Sequence, residues 1–187
     1  MLSVVAADDW RMRALSAVRA LALPDCWIGA GFLRAAVWDR LHGFAAATPL
    51  DDVDVVYFDP ELATREAETA HERRLAAIWG YGAAPVPWQV RNQARMHLAK
   101  GDAPYADTAD SLRHWLETPT AVAVRLTDRD QLELLAPLGI DDLLALRVAP
   151  TPYARDKQAA RYVMRVTEKH WSRQWPRLEI VLPPGFG

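Results

Sequence analysis

The sequence predicts an α+β fold, α/β-like in its first half, in which a mixed β-sheet is flanked by helices and followed by a helical C-terminal part. Apolar residues at helix spacing alternate with short β-branched runs over residues 10–90. Two more strand-like runs lie close together in residues 120–135, and helical patterns dominate after residue 139. Such an order is typical of a mixed sheet covered by helices. The chain has 187 residues, 51% of them apolar, which is enough to bury one substantial core.

The first half contains alternating helix and strand patterns. Asp8 or Asp9 can cap the first helix, Pro24 ends it, and Gly43 ends the second. The predicted helices cover residues 10–23, 32–42 and 61–79, and the predicted strands cover 26–28 and 52–58.

The second half begins with a strand over 86–90, which Pro85 and Pro87 limit to an edge or a short piece. A strand pair over 120–126 and 131–135 follows, and then helices over 140–148 and 155–173. We expect a main domain over 1–138 with a helical extension over 139–187 packed on it, or a single domain.

Composition excludes several classes of protein. A net charge of -2 argues against a generally basic nucleic-acid binder, and the single cysteine, Cys26, excludes an internal disulfide and a cysteine-based zinc finger. No apolar stretch is long enough to span a membrane, and the N-terminus does not resemble a secretion signal. We therefore expect a cytoplasmic protein with no membrane partner.

Two neighbouring features suggest chemistry. The turn Gly29-Ala30-Gly31 joins a strand to a helix, where backbone N–H groups can approach an anion. Asp52 and Asp54 share one face of the next strand and repel each other unless a cation lies between them. Carboxylate ligands suit Mg²⁺ or Mn²⁺, and a phosphate turn beside a metal pair indicates phosphoryl or nucleotidyl transfer. The alternative is a solvated acidic turn.

Three blocks of the sequence match a known family most specifically: 29–34 (GAGFLR), 37–43 (VWDRLHG) and 48–59 (TPLDDVDVVYFD). With these blocks the sequence resembles the bacterial nucleotidyltransferase-like proteins of the DNA polymerase β superfamily. Further matching blocks cover 88–97, 104–105, 117–122, 139–143 and 175–178, so the resemblance extends over most of the chain.

The resemblance implies a nucleotidyltransferase fold and a nucleoside triphosphate (NTP) substrate. It assigns triphosphate support to Gly29, Ala30 and Gly31, and it assigns divalent-metal binding and catalysis to Asp52 and Asp54. The implied reaction moves a nucleoside monophosphate (NMP) from the NTP to an unknown acceptor, such as a small molecule, a protein or an RNA end.

One departure from the family pattern concerns the third carboxylate, which the family takes from a following strand. The corresponding position has Gln89, whose amide can coordinate a metal but does not deprotonate a hydroxyl. Glu133 can substitute if the sheet brings it near. The turn also lacks the usual serine. An NTP-binding or regulatory module with weakened or lost catalysis is therefore the alternative function.

Several basic and polar residues are candidates for nucleotide binding. Arg34 lies one turn into the helix after the glycine turn, where it can reach a phosphate or form an ion pair with Asp39 or Asp59. The polar stretch after the third strand offers Arg91, Asn92 and Arg95, which line the cleft or form a structural network. A basic stripe at a spacing of four is expected along the C-terminal helix, where it faces a triphosphate or RNA end or forms a solvated charged face. Its residues are Lys157, Arg161, Arg165, Lys169 and Arg173.

Overall fold

A computed structural model, which describes residues 1–80 and 84–186, confirms the α+β fold with a mixed sheet flanked by helices. The sheet has five strands in the order β3-β2-β1-β4-β5, and only the β2–β3 pair is parallel. The strands are β1 (Trp27–Gly29), β2 (Val53–Tyr57), β3 (Trp88–Asn92), β4 (Ala123–Leu126) and β5 (Leu132–Leu135).

The helices of the main body lie between these strands in the chain. Asp8 caps α2 by accepting a hydrogen bond from the Arg11 backbone N–H, and Gly43 ends α3 in the left-handed conformation. These helices are α1 (Leu2–Ala6), α2 (Asp9–Arg19), α3 (Gly31–His42), α4 (Arg65–Trp79) and α5 (Thr108–Arg113). The sequence patterns predict α2, α3 and α4 but not α1 or α5.

The two faces of the sheet have different surroundings. Ile28 pairs with Val55 on one side and with Val124 on the other, and this fully buried row belongs to the main core. Because side chains alternate along a strand, Asp54 lies on the opposite face from Val55. Val55 thus faces the main core, whereas Asp54 shares the other face with a smaller buried cluster of Trp27, Val56, Leu112 and Ala123.

The C-terminal part differs from its prediction. The expected helix over 140–148 is wrong: α6 covers only Asp141–Leu144, Leu146 adopts a positive φ of 57°, and β6 (Arg147–Val148) follows. β6 pairs in parallel with β7 (Glu179–Ile180). A tertiary strand pairing of this kind has no local sequence signal.

The expected single helix over 155–173 is also wrong, because the chain breaks twice. Gln158 leaves the helical conformation, and His170 adopts the left-handed region at φ 48°. The segment forms α7 (Pro152–Lys157), α8 (Ala159–Lys169) and α9 (Trp171–Gln174). The basic stripe is therefore divided among three helices.

Aromatic contacts fix the C-terminal helices to α3. The buried Trp38 ring lies 5.9 Å from Trp171 and 5.1 Å from Trp175, edge to face in both cases. The Trp175 indole N–H donates to Asp39 Oδ1 at 2.8 Å. None of the helices in the described part of the chain is long and apolar enough to cross a membrane.

Candidate active site

The acidic residues lie where β2 begins beside β3. Asp54 pairs in register with Gln89, and Asp52 directly precedes the strand. The Gln89 amide Nε2 donates to Asp52 Oδ2 at 3.2 Å. Within residues 1–80 and 84–186, the Asp54 carboxylate accepts no hydrogen bond. The structure therefore brings Asp52, Asp54 and Gln89 together at one point of the sheet.

The carboxylates of Asp52 and Asp54 repel each other. Burial, followed by repulsion from Asp52, raises the pKa of Asp54 to about 6. The guanidinium groups of Arg165, Arg34 and Arg91 act in the opposite direction. A divalent cation at this point would relieve the repulsion that the arginines offset only in part.

The glycine turn is tightly packed on one side. A Cβ on Gly29 would lie 2.9 Å from the Trp115 ring, so only glycine fits without movement of that ring. Ala30 holds a positive φ of 51° and donates its N–H to the Val122 carbonyl at 3.0 Å. A Cβ on Gly31 would meet Arg34 at an ordinary 3.7 Å. The turn is therefore shaped by Gly29 and by strain at Ala30.

Arg34 points from the first turn of α3 into this region. It is buried, its Nη1 donates to Thr120 Oγ1 at 2.7 Å, and its guanidinium lies 4.3 Å from the Trp171 ring. The alternative pairing with Asp39 does not form, since Asp39 accepts from Thr48 and Trp175. Burial lowers the pKa of Arg34 to about 10, and its Nε has no partner among the described residues.

A cavity of about 420 Å³ opens over the site face of the sheet. Asp54 and Ala30 line it from the strand and the turn, and α8 lines the opposite side. The remaining polar lining comes from Arg91, Gln93, Lys100, His114, Glu117, Thr120, Tyr153, Gln158, Arg161, Arg165 and Glu168. Such a mixed apolar and charged cleft is typical of a small-ligand site.

Among the lining residues that the sequence-based selection missed, Glu117 stands out because it pairs with Arg165 of the predicted basic stripe. Glu117 is fully buried; its Oε1 accepts from Arg165 Nε at 2.8 Å, and its Oε2 has no partner within the described residues. Arg165 belongs to the predicted basic stripe, and Glu117 belongs to a block that matches the family. The basic stripe and the matching block are the two sequence signals for these residues, but neither signal predicts that their side chains line the cavity.

The structure does not bring Glu133 near the acidic pair, so the condition under which it could replace the third carboxylate is not met. Glu133 lies on β5, three strands from β2, which is about 14 Å across the sheet. Its carboxylate instead pairs with Arg125 on the neighbouring strand at 2.6 Å. Gln89 alone occupies the third position.

Of the three nucleotide-binding candidates predicted in the polar stretch 91–97, which are Arg91, Asn92 and Arg95, only Arg91 lines the cavity. Asn92 is fully buried and bonds the backbone of Asp59, with its amide N donating to the Asp59 carbonyl at 2.7 Å. Arg95 forms a two-pronged ion pair with Glu68 at 2.8 Å for both contacts. Asn92 and Arg95 therefore hold the loop and α4 together, and their expected nucleotide contacts are not supported.

The donor set fits a magnesium-like ion. Two carboxylates and one amide are hard oxygen-bearing groups, and Mg²⁺ usually fills its other positions with water and phosphate oxygens. Across the described residues, no group of three or more His, Cys, Asp or Glu side chains can hold a metal ion alone. The site therefore suits an ion that shares its coordination with a phosphate ligand.

These elements place an acidic pair, a glycine turn and a charged cavity on one face of the sheet. The chain belongs to the nucleotidyltransferase family, whose sequence profile, described as "Nucleotidyltransferase", matches residues 16–180. No curated protein sequence matches.

Among solved structures, an NMR structure described as revealing a CCA-adding enzyme head domain is 28% identical, with a TM-score of 0.84. The match covers 97% of this chain and 96% of that chain. An apo tRNA-processing enzyme is 15% identical, with a TM-score of 0.55 over 91% of this chain and 42% of that chain. A CCA-adding enzyme complex with ATP is 13% identical, with a TM-score of 0.51 over 89% and 45%. The chain thus spans less than half of these two larger enzymes, which share its fold.

Proposed function

We propose that the protein is a metal-dependent nucleotidyltransferase that moves an NMP from an NTP to a hydroxyl or phosphate of an acceptor. The observation that carries this proposal is that Asp54 and Ala30 of the glycine turn line the same cavity. A phosphate group held at Ala30 would therefore lie in the same cavity as Asp54, and Gly31 and Asp52 line another pocket together. Family membership supports NTP as the donor substrate.

The chain's own residues divide the work in this proposal. The N-terminal turn of α3 leaves backbone N–H groups without intrahelical partners beside Gly31, and these bind phosphate oxygens. Arg34, Arg91 and Arg165 add positive charge around Asp54. Together they orient the triphosphate.

Asp52 and Asp54 would hold the divalent cation, Mg²⁺ or Mn²⁺. Such an ion neutralises phosphate charge and stabilises charge that develops during transfer. Gln89 supports Asp52 through its amide N–H.

We propose that the C-terminal residues 139–187 act as part of this site. Arg161, Arg165 and Glu168 of α8 line the cavity, and Trp171 lies over Arg34. Removal of this segment would expose the cavity and leave Glu117 without its cation.

An RNA end is the first acceptor to test, because a CCA-adding enzyme head domain is similar over nearly the whole of this chain. Small molecules and protein hydroxyl groups are the acceptors to test next. The test is incubation with each of four α-labelled NTPs, Mg²⁺ and a panel of RNA ends, nucleosides and proteins.

We expect labelled product from the wild type and at least about 100-fold less from Asp54→Asn, which removes one metal ligand. Asp141→Asn is the matched control, because it makes the same chemical change at an exposed helix start. Product that is undiminished in Asp54→Asn contradicts the proposal.

The second candidate is an NTP-binding or regulatory module with weakened or lost catalysis, and Gln89 is the observation that favours it. Its amide takes no proton from an attacking hydroxyl. Calorimetric Mg²⁺-dependent NTP binding without labelled product on any acceptor supports this candidate over the first.

A further inference from the structure

We infer that Glu117 is a positioning residue for Arg165, and that Arg165 binds the phosphate groups of the bound nucleotide. The Glu117 carboxylate fixes the Arg165 side chain on the wall of the cavity formed by α8, so that the guanidinium presents its two terminal nitrogens to a ligand. The inference rests on the proposed function, because the ligand concerned is the triphosphate of an NTP. A role is thereby assigned to a buried carboxylate that the proposed reaction does not otherwise use.

Glu117 lies just before β4, where its own backbone is held from two sides. Its carbonyl accepts hydrogen bonds from the Thr120 and Ala121 N–H groups, each at 3.1 Å, and the residue forms a bridge with Pro150. The Glu117 side chain is completely buried although the residue belongs to the cavity wall. Glu117 therefore acts through the side chain bonded to it and not through contact with the ligand.

Arg165 uses one nitrogen to keep its position. Its Nε donates to Glu117 Oε1 at 2.8 Å, and within residues 1–80 and 84–186 neither Nη1 nor Nη2 has a hydrogen-bond partner. Glu168, three residues further along α8, forms no ion pair with it among the described residues. The Arg165 side chain is 38% exposed and lines the cavity. The terminal N–H groups of a fixed guanidinium are well suited to bind phosphate oxygens.

The other two arginines around Asp54 make more contacts with the protein. Arg91 Nη1 donates to Glu72 Oε1 at 2.5 Å, so its charge is already paired through a terminal nitrogen. Arg34 is buried, and its Nη1 donates to a threonine hydroxyl at 2.7 Å. Arg165 is therefore the arginine of the three whose terminal nitrogens are most available to a ligand.

Glu117 also allows two arginines to lie near each other. Burial lowers the pKa of Arg34, Glu117 is the first group that raises it again, and Arg165 lowers it further. Burial and Asp52 raise the pKa of Asp54, and Arg165 is the first of the arginines that oppose them. The charge of Arg165 thus reaches both Arg34 and the acidic pair, and a carboxylate beside the two cations offsets their repulsion.

The experiment is calorimetric titration with a non-hydrolysable ATP analogue in Mg²⁺, on variants that separate the hydrogen bond of Glu117 from its charge. Glu117→Met removes the acceptor for Arg165 Nε, whereas Glu117→Gln removes the charge and keeps an acceptor oxygen. We expect at least about tenfold weaker binding to Glu117→Met and less than about a threefold change in Glu117→Gln. If Glu117 acted through its charge alone, both variants would bind this anion more tightly.

Arg165→Lys keeps the positive charge but loses the forked donors, so it should also bind the analogue at least about tenfold more weakly. Addition of Glu117→Met to Arg165→Lys should cause no further loss, because the two residues act as one unit. Glu133→Met and Arg125→Lys are the matched controls, since they alter a Glu–Arg pair between β4 and β5. Both should bind the analogue like the wild type.

Thermal unfolding shows which variants are folded. If Glu117→Met does not fold, Glu117→Asp replaces it, because it keeps the charge and withdraws the oxygen by one methylene; we then expect at least about threefold weaker binding. Unchanged or tighter binding to the folded variant used, or unchanged binding to Arg165→Lys, overturns the inference and leaves the proposed function standing. A wild type that does not bind the analogue overturns both.

Discussion

Alanine substitution at Gly29 and Gly31 should have opposite consequences, although the two glycines are only two residues apart. A Cβ at Gly29 would lie 2.9 Å from Trp115 Cη2, closer than real Cβ contacts allow. Overpacking of this kind typically costs about 1–3 kcal/mol. A Cβ at Gly31 meets only an Arg34 nitrogen at 3.7 Å, and Gly31 is already helical.

We therefore expect Gly29→Ala to lower the free energy of unfolding by about 2 kcal/mol. Gly31→Ala should leave it unchanged or raise it by up to about 1 kcal/mol, because alanine favours a helix. Urea unfolding followed by tryptophan fluorescence and by circular dichroism measures both values. The Trp115 ring should also move in Gly29→Ala, which changes the fluorescence of the native state.

Equal stabilities for the two variants would refute the steric account of the turn. So would a destabilised Gly31→Ala beside a stable Gly29→Ala. In either case Gly29 would be needed for some reason other than its contact with Trp115.

Three more perturbations follow from the structure. Ala30→Gly should raise the free energy of unfolding by about 1 kcal/mol in urea titrations, because glycine accepts the positive φ of 51° without strain; a loss of stability would contradict this. Glu68→Gln should lower the free energy of unfolding by about 3 kcal/mol, because it breaks the partly buried ion pair with Arg95. A loss below about 0.5 kcal/mol in the same assay would contradict this role of the pair. Burial raises the pKa of Cys26 to about 12 from 9.0. As the pH rises, the unfolded chain therefore loses this thiol proton before the folded chain does. The free energy of unfolding of the wild type should fall by about 1.4 kcal/mol per pH unit between pH 9 and pH 12, relative to that of Cys26→Ala. Parallel plots of stability against pH for the two proteins would contradict this prediction.

Local patterns were enough to predict the core of the fold. The β-branched run in 52–58 and the helix that ends at Gly43 have strong signals in the chain itself, and the structure places β2 and α3 there. The strand pairing of β6 with β7 depends on residues about 30 positions apart, so periodicity in 140–148 could not reveal it. The left-handed His170 is similarly invisible, because only packing selects that conformation.

The candidate site was predictable where its residues lie on one strand or one turn. Two local features were enough to predict Asp52, Asp54 and the glycine turn. Side chains alternate between the faces of a strand, and one helix separates the turn from the acidic strand. Glu117 and Arg165 lie far apart in the chain, and only the docking of α8 brings them together.

Three further predictions depended on long-range packing in the same way. The distance of Glu133 from the acidic pair follows from the strand order, and the partners of Asn92 and Arg95 follow from the packing of α4. Neither the strand order nor the packing of α4 can be deduced from a single sequence.

Calorimetric titration with a non-hydrolysable ATP analogue, with and without Mg²⁺, tests most directly whether Asp52 and Asp54 form a metal–nucleotide site beside the glycine turn. We expect Mg²⁺ to tighten binding to the wild type and to Asp141→Asn by at least about tenfold, and to have no such effect on Asp54→Asn. Equal tightening in folded Asp54→Asn, or no binding to the wild type in either condition, would contradict the account.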